Sequence, residues 1–369
     1  MSVIDSALAQ VKALQPYIPG KPVEELEREL GIRNAIKLAS NENPLGYSPR
    51  VRDVLLNQLD HIAFYPDANA YYLKQSLAQK LGLKPNQLTI GNGSNDVLDL
   101  VARTFLTQDR EAIFSQYAFL VYPLVIQACG ATACVAPALG RDHSQPYGHD
   151  LEAMLQRITS RTSIIFIANP NNPTGTWLQQ DELYAFLQKV PEHIVVVIDE
   201  AYFEYVQFDE YPDSTRWLGE FPNLVVTRTF SKIYGLAGLR LGYAMSSPEV
   251  CDLLNRVRQP FNANSLALAA AVESLRDEDF VRQSIDNNLL GLENLTAFCQ
   301  RKQLFFIPSA GNFLTIEFAE RTAEIHHQLQ QQGIIVRPVA NYQLDGFLRI
   351  SIGSPSQMTR LTEALESLL

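Results

Sequence analysis

Over its first two thirds the chain alternates uniformly apolar runs with longer stretches of helical periodicity. The segments SIIFIA (163–168) and HIVVVID (193–199) carry no regular polar face. A half-exposed strand would alternate apolar with polar residues, so these runs predict strands of a mostly parallel sheet covered on both faces. Strands are expected at Gln87–Ile90, Glu111–Phe114, Thr132–Ala136, Ser163–Ala168, Ile194–Ile198, Leu224–Thr229 and Leu241–Met245. Helical patterns separate them, including Tyr72–Leu81 and Val97–Phe105, and the alternation gives an α/β architecture.

The two ends read differently. Residues 1–40 form an arm: a short amphipathic stretch, the breaker Pro16–Tyr17–Ile18–Pro19–Gly20, then a charged helix over Val23–Leu30. SNENPLG follows from Ser40 as a turn-rich loop. The α/β alternation then occupies residues 41–260. Beyond Pro260 a long helical stretch runs from Ser265 to about Lys302, and PSAGNFLTIEF, a helix, GIIVRPV and FLRISIG follow it. Residues 261–369 are therefore expected to form a small α+β domain.

Composition narrows the function classes. A chain of 369 residues, 46% apolar, can bury a substantial core and is long enough for about two domains. The net charge of −10 and the absence of a Lys/Arg cluster argue against nucleic acid or anionic lipid as partner. The four cysteines form no CxxC pair, the N-terminal stretch lacks a long apolar segment, and no apolar run reaches membrane-spanning length. The expectation is a soluble, reduced, cytoplasmic protein with no membrane partner. The six histidines show no HExxH spacing, so no metal site is expected.

Four segments carry candidate chemistry. In VVTRTFSKIYGLAGLRLG (225–242) an apolar strand ends in hydroxyl residues and Lys232, with Arg240 eight positions later. A lysine just past a buried strand can be desolvated, which lowers its pKa and frees the amine as a nucleophile. Thr229, Ser231 and Arg240 together suit a phosphate. A lone lysine on a glycine-rich loop is more often a surface residue. Asp199 ends the HIVVVID strand, where open α/β sheets bind ligands, and its burial calls for a cationic or hydrogen-bonding partner. A Walker-B reading of the following Asp-Glu fails because the chain has no GxxxxGK[ST] loop. NPNNPTG (169–175) is a tight loop after the SIIFIA strand. IGNGSND (90–96) opens a helix whose N-terminal amides could meet an anion, although a plain capped helix explains it equally well.

Taken in order, GNGSND, NPNNPTG, VIDEAY and TFSK with the later arginine resemble the fold-type-I PLP aminotransferases. The resemblance is closest to the histidinol-phosphate aminotransferase family of the class I/II group. It extends to PYIPGKP, KLASNENPLG, FYPD, PSAGNF, GIIVRPV and LRISIG, so it covers nearly the whole chain. It implies the aspartate aminotransferase fold, a large mostly parallel seven-stranded sheet domain plus a small α+β domain, with pyridoxal 5′-phosphate as cofactor. Lys232 matches the Schiff-base lysine, Asp199 the carboxylate on the pyridine nitrogen, and Asn172 and Tyr202 the donors to the phenolic oxygen. Ser94, Asn95, Thr229, Ser231 and Arg240 match the phosphate cup, and Tyr117 the ring stacked on the cofactor. Tyr65 matches a tyrosine that reaches the phosphate of the neighbouring subunit, which implies a homodimer. Arg349, with Arg337 as second candidate, matches the grip on the substrate's anionic end, and Tyr17 and Asn43 fall where the arm and the SNENPLG loop line the substrate pocket. The implied reaction transfers the amino group of L-histidinol phosphate to 2-oxoglutarate. An aromatic amino acid aminotransferase is the nearest rival, and a threonine-phosphate-type decarboxylase is a rival of another reaction class. A regulator built on the same fold would carry a DNA-binding module, for which this chain has no room.

Overall fold

The computed structural model describes residues 2–16 and 20–369. A short strand β1 (Ile36–Lys37) precedes seven strands of one large sheet. These are β2 (Leu88–Gly91), β3 (Glu111–Ser115), β4 (Thr132–Ala136), β5 (Thr162–Ala168), β6 (Val195–Asp199), β7 (Leu224–Thr229) and β8 (Gly242–Met245). Their spatial order is β2-β8-β7-β6-β5-β3-β4, and β8 alone runs against the rest. The seven expected strands are thus all present, within a residue or two of the expected limits.

Every residue of β5, β6 and β7 is buried, which is why their sequences show no polar face. One face of the sheet (Ile165, Ile167, Val196, Ile198, Val226) packs on Leu183, Phe186 and Leu187 of the helix Gln180–Lys189. The other (Ile164, Phe166, Val197, Val225) packs on Val97, Leu98 and Val101 of the helix Ser94–Phe105, with Tyr122 and Ile126 of the helix Val121–Ala128. The long stretch after Ser265 is two helices, Ser265–Leu275 and Glu278–Arg301. The break has a local cause. Asp277 caps the second helix by accepting from the Phe280 amide, and it also accepts from the Ser48 hydroxyl. Ala267, Ala270 and Ala271 of the first of these helices pack into the core of the large sheet.

Downstream lie β9 (Phe306–Ile307), β10 (Phe313–Glu317), β11 (Ile334–Ile335), β12 (Arg337–Pro338) and β13 (Phe347–Ser351). An antiparallel sheet of order β12-β13-β10-β9 packs on Leu295 and Phe298 of the long helix and on Leu361 and Leu365 of the helix Pro355–Leu368. β11 pairs instead with β1, in parallel, and Leu38 enters this second core. The segment Ile36–Leu38 is thus stitched into the C-terminal unit, whereas the Gln10 carbonyl accepts from Gln127 on the helix Val121–Ala128 of the large domain. Among the described residues no helix is long and apolar enough to cross a membrane.

Candidate active site

The carboxyl ends of β5, β6 and β7 lie level, with Ala168 opposite Asp199 and Asp199 opposite Thr227. They form the floor of a cleft of about 210 Å3 that is closed by Ala39, Ser40 and Asn41 and by Arg337, Tyr342 and Arg349. Asp199 is 4% exposed. Its Oδ1 accepts from the Thr227 hydroxyl at 2.9 Å and its Oδ2 from the Tyr122 hydroxyl at 3.1 Å. Burial raises its pKa to about 6 against the pull of those two bonds and of Lys232. A carboxylate held this way at the cleft floor is an acceptor for a cationic N–H.

Lys232 leaves the sheet just after β7, and its Nζ donates to the Ser40 carbonyl at 3.1 Å. Burial first, then the Arg349 and Arg240 guanidinium groups, lower its pKa to about 8 against the attraction of Glu42 and Asp199. The amine is therefore far easier to deprotonate than an ordinary lysine and suits nucleophilic and proton-transfer roles. Its loop is fixed by contact with the SNENPLG loop. Gly235 has φ +68°, and a Cβ there would lie 1.7 Å from the Gly46 carbonyl oxygen. Only glycine permits that approach.

A cup for an anion forms where β2, β7 and β8 meet. Gly93, at φ +84°, caps the helix Ser94–Phe105, and the Ser94 and Asn95 side chains line the cleft beside Thr229, Ser231 and Arg240. A Cβ on Gly93 would stand 2.7 Å from Arg240 Nη2, and one on Gly242 would stand 2.3 Å from the Ser94 amide. The backbone is thus kept bare where a helix N-terminus, two hydroxyls and a guanidinium converge, which is the donor set a phosphate requires.

On the opposite wall Tyr202 accepts from Asn41 Nδ2 at 2.9 Å. Asn41, at φ +56°, also donates its amide to Ser351 and accepts at its carbonyl from Asn312, so one residue links the large sheet to the small one. Arg349 Nη1 donates to Asn172 Oδ1 and Nη2 to the Ala39 carbonyl at 2.7 Å, while its buried Nε has no hydrogen-bond partner among the described residues. With Arg337 lining the same wall, two guanidinium groups face a cleft that also holds Lys232 and Asp199.

Eleven of the residues singled out from sequence line this cleft: Ser94, Asn95, Asn172, Asp199, Tyr202, Thr229, Ser231, Lys232, Arg240, Arg337 and Arg349. Three others lie elsewhere. Tyr117 packs edge-on to Tyr147 at 5.3 Å, beside Leu120 and Phe305, and Phe119 takes a place in the cleft wall. Asn43 is buried as a brace: its Nδ2 donates to the Ile233 carbonyl at 2.7 Å and to Ser284 at 2.9 Å. Tyr65 is 82% exposed and stacks on Phe261, away from its own chain's cleft. Tyr17 lies outside the described residues. Sequence reading missed Asn41, Phe119, Tyr122 and Thr227. Thr227 had a signal, since it sits two residues before Thr229 on the same face of β7. Among the described residues no group of three or more His, Cys, Asp or Glu could hold a metal ion.

Comparison with known proteins adds family context. The model of the family "aminotransferase class I and II" matches residues 33–365. Histidinol-phosphate aminotransferase 2 of Methylococcus capsulatus is 50% identical over 369 residues, all of both chains. Histidinol-phosphate aminotransferase 1 of Mannheimia succiniciproducens is 52% identical over 369 residues, all of this chain and 99% of that one. The crystal structure of histidinol-phosphate aminotransferase from Sinorhizobium meliloti, in complex with pyridoxal 5′-phosphate, superposes with a TM-score of 0.88 at 28% identity, covering 99% of this chain and all of that one.

Proposed function

We propose the reaction from one premise: the chain belongs to the class I and II aminotransferases, and within them to the histidinol-phosphate aminotransferase family. It transfers the amino group of L-histidinol phosphate to 2-oxoglutarate, giving imidazole-acetol phosphate and L-glutamate. The observation that carries this reading is the placement of a low-pKa lysine, a buried carboxylate and an anion cup in one cleft whose far wall bears two arginines.

The residues fit pyridoxal 5′-phosphate. The bare glycine backbone at Gly93 and Gly242 leaves room for its phosphate, with Ser94, Asn95, Thr229, Ser231 and Arg240 as donors. Asp199 would hold its ring nitrogen, and Asn172 and Tyr202 its phenolic oxygen. When bound, this cofactor supplies an aldehyde carbon that takes the amino group and a protonated ring that draws off electron density. Lys232 provides the amine that first holds the group and then carries the proton from and to the substrate Cα. Arg349 and Arg337 bind the anionic end. A guanidinium fork accepts phosphate or carboxylate alike, so the same pair serves both amino donor and 2-oxoglutarate. Asn172, which accepts from Arg349, ties the substrate grip to the cofactor side of the cleft.

A cytoplasmic homodimer completes the proposal. Tyr65 sits on a surface that also exposes Leu56, Leu59, Ile62, Phe64, Tyr71 and Tyr72, an apolar patch of the kind that subunit contacts cover. From that position Tyr65 would reach the phosphate of the neighbouring subunit. The test is kcat/KM for histidinol phosphate, phenylalanine and threonine phosphate with 2-oxoglutarate, with CO2 monitored. Histidinol phosphate is expected to be preferred, and Lys232→Ala to lower turnover by at least about 10³-fold. Preference for phenylalanine, release of CO2, or a normally active Lys232→Ala variant would each refute the reading.

A further inference from the structure

We propose that Tyr122 is a positioning residue that keeps Asp199 ionised and aimed into the cleft, so that a pyridine nitrogen placed there meets an acceptor. This rests on the cofactor reading above and adds a residue that none of the sequence motifs contains.

The argument starts from isolation. Tyr122 is 0% exposed, stacked on Phe166 with ring centroids 4.8 Å apart and planes 10° apart, and Phe119 of the cleft wall meets it edge-on at 5.9 Å. Its ring cannot swing to solvent. Among the described residues its one hydrogen bond is to Asp199 Oδ2, and Oδ1 is taken by Thr227. A buried phenol keeps its proton, and burial together with the neighbouring Asp199 pushes the Tyr122 pKa upwards. That proton must be donated, because an unpaired hydroxyl in a dry site is costly. If Asp199 took up a proton on Oδ2, two O–H groups would compete across one contact and one would lose its partner. The pair is therefore satisfied most fully with the carboxylate charged.

Without such donors, burial would favour the neutral acid, which offers a ring nitrogen a proton instead of accepting one. The other titratable groups that face Asp199 are Lys232, from the loop after β7, and Tyr202, from the turn after β6. Lys232 acts in the same direction as Tyr122, but its charge is spent once its amine is engaged with a ligand. Tyr122 is not consumed in that way.

The experiment measures affinity of the apo-protein for pyridoxine 5′-phosphate, which lacks the aldehyde and cannot react with Lys232, between pH 5 and 8. Titrations of the ligand itself are common to every variant and cancel in the comparison. In the wild type, affinity should fall as pH drops through about 6, where Asp199 takes up its proton. Tyr122→Phe keeps the stacked ring and loses the hydroxyl. Its midpoint should rise by about one pH unit, the ten-fold change in proton affinity that one hydrogen bond to an ionised group is worth. Phe166→Leu disturbs the packing and spares the hydroxyl, so its midpoint should stay in place. A Tyr122→Phe midpoint equal to that of the wild type, with or without a uniform loss of affinity, overturns the proposal. Asp199→Asn separates the two levels of inference. If it retains the wild-type profile, or if the wild type does not bind, the cofactor reading itself fails.

Discussion

Directly behind the floor of the cleft, on the other face of the same strands, Arg228 forms an ion pair with Glu200. The pair is almost sealed from water, at 3% and 0% side-chain exposure, with Nη2 to Oε2 at 2.7 Å. Arg228 also reaches Asp213 at 2.8 Å and lies over the Phe203 ring at 3.3 Å. Arg228→Met removes the charge with little loss of volume. Among the described residues Glu200 would then keep only the Ser214 amide, at 3.3 Å, in a site that already raises its pKa by burial. Breaking a buried pair from one side costs about 3–5 kcal/mol, because it strands the other charge. That predicts a fall in Tm of roughly 4–6 °C for a chain of 369 residues. The pH dependence has a definite sign. A carboxyl whose folded pKa lies above its unfolded value takes up a proton on folding, so the penalty is small at low pH and grows as pH rises. Glu204, raised to about 7 by burial and partly held down by Arg228, acts in the same sense. The Tm deficit of Arg228→Met should therefore be smaller at pH 5 than at pH 8, and Glu200→Gln added to it should recover at least half the loss. Thermal unfolding of the three variants and the wild type at both pH values is the assay. A loss below about 1 kcal/mol, an equal deficit at the two pH values, or a double variant worse than the single would refute the reasoning.

Two further predictions concern the cleft. Because Lys232 has its pKa depressed to about 8, the apo-protein should bind pyridoxal 5′-phosphate faster as pH rises and level off above that value. The same depression means that the unfolded chain holds the proton between about pH 8 and 10.4 while the folded one does not. Apo-protein stability should therefore rise over that interval, and Lys232→Met should lose both trends. Gly235→Ala sets a Cβ 1.7 Å from the Gly46 carbonyl at φ +68°, so the two loops must part. It should lower Tm and weaken cofactor binding at least about ten-fold, whereas Gly238→Ala, which meets nothing within 4 Å, should do neither. Equal effects of the two alanines would refute the close-approach argument.

What could be read from the chain follows from where each signal resides. β5, β6 and β7 announce themselves because burial on both faces leaves no place for polar residues. Lys232, Asp199 and Arg240 stand out because each is a charged residue set at the end of such a run, where burial needs a reason. Tyr117 and Phe119 show the limit of this reading. They are two aromatic residues apart by two positions in one loop, and only the path of the backbone decides which ring faces the cleft. Asn43 and Asn41 fail in the same way. Both lie in the SNENPLG loop, yet Asn41 meets Tyr202 and Ser351, and Asn43 turns to Ile233 and Ser284. Tyr122 and Thr227 look like ordinary core and strand residues until the third dimension brings both hydroxyls to one carboxylate. The helix break at Asp277 was a capping signal within an otherwise continuous pattern.

The pairing of β1 with β11 also dictates when the site can exist. Ile36 bonds to a strand that begins at Ile334, and Leu38 then accepts from the Ser351 amide. At ordinary rates of translation the N-terminal segment leaves the ribosome some tens of seconds before its partner strand. Throughout that interval Asn41 lacks its Ser351 and Asn312 partners, and the loop meets the large sheet only through contacts such as Asn41–Tyr202 and Asn43–Ile233. The large sheet can form with its lysine and aspartate in place, but the cleft has no closed wall until the last strands emerge. A message cut short between β8 and β13 would yield a chain that contains Lys232, Asp199 and the whole anion cup, and yet lacks the active site.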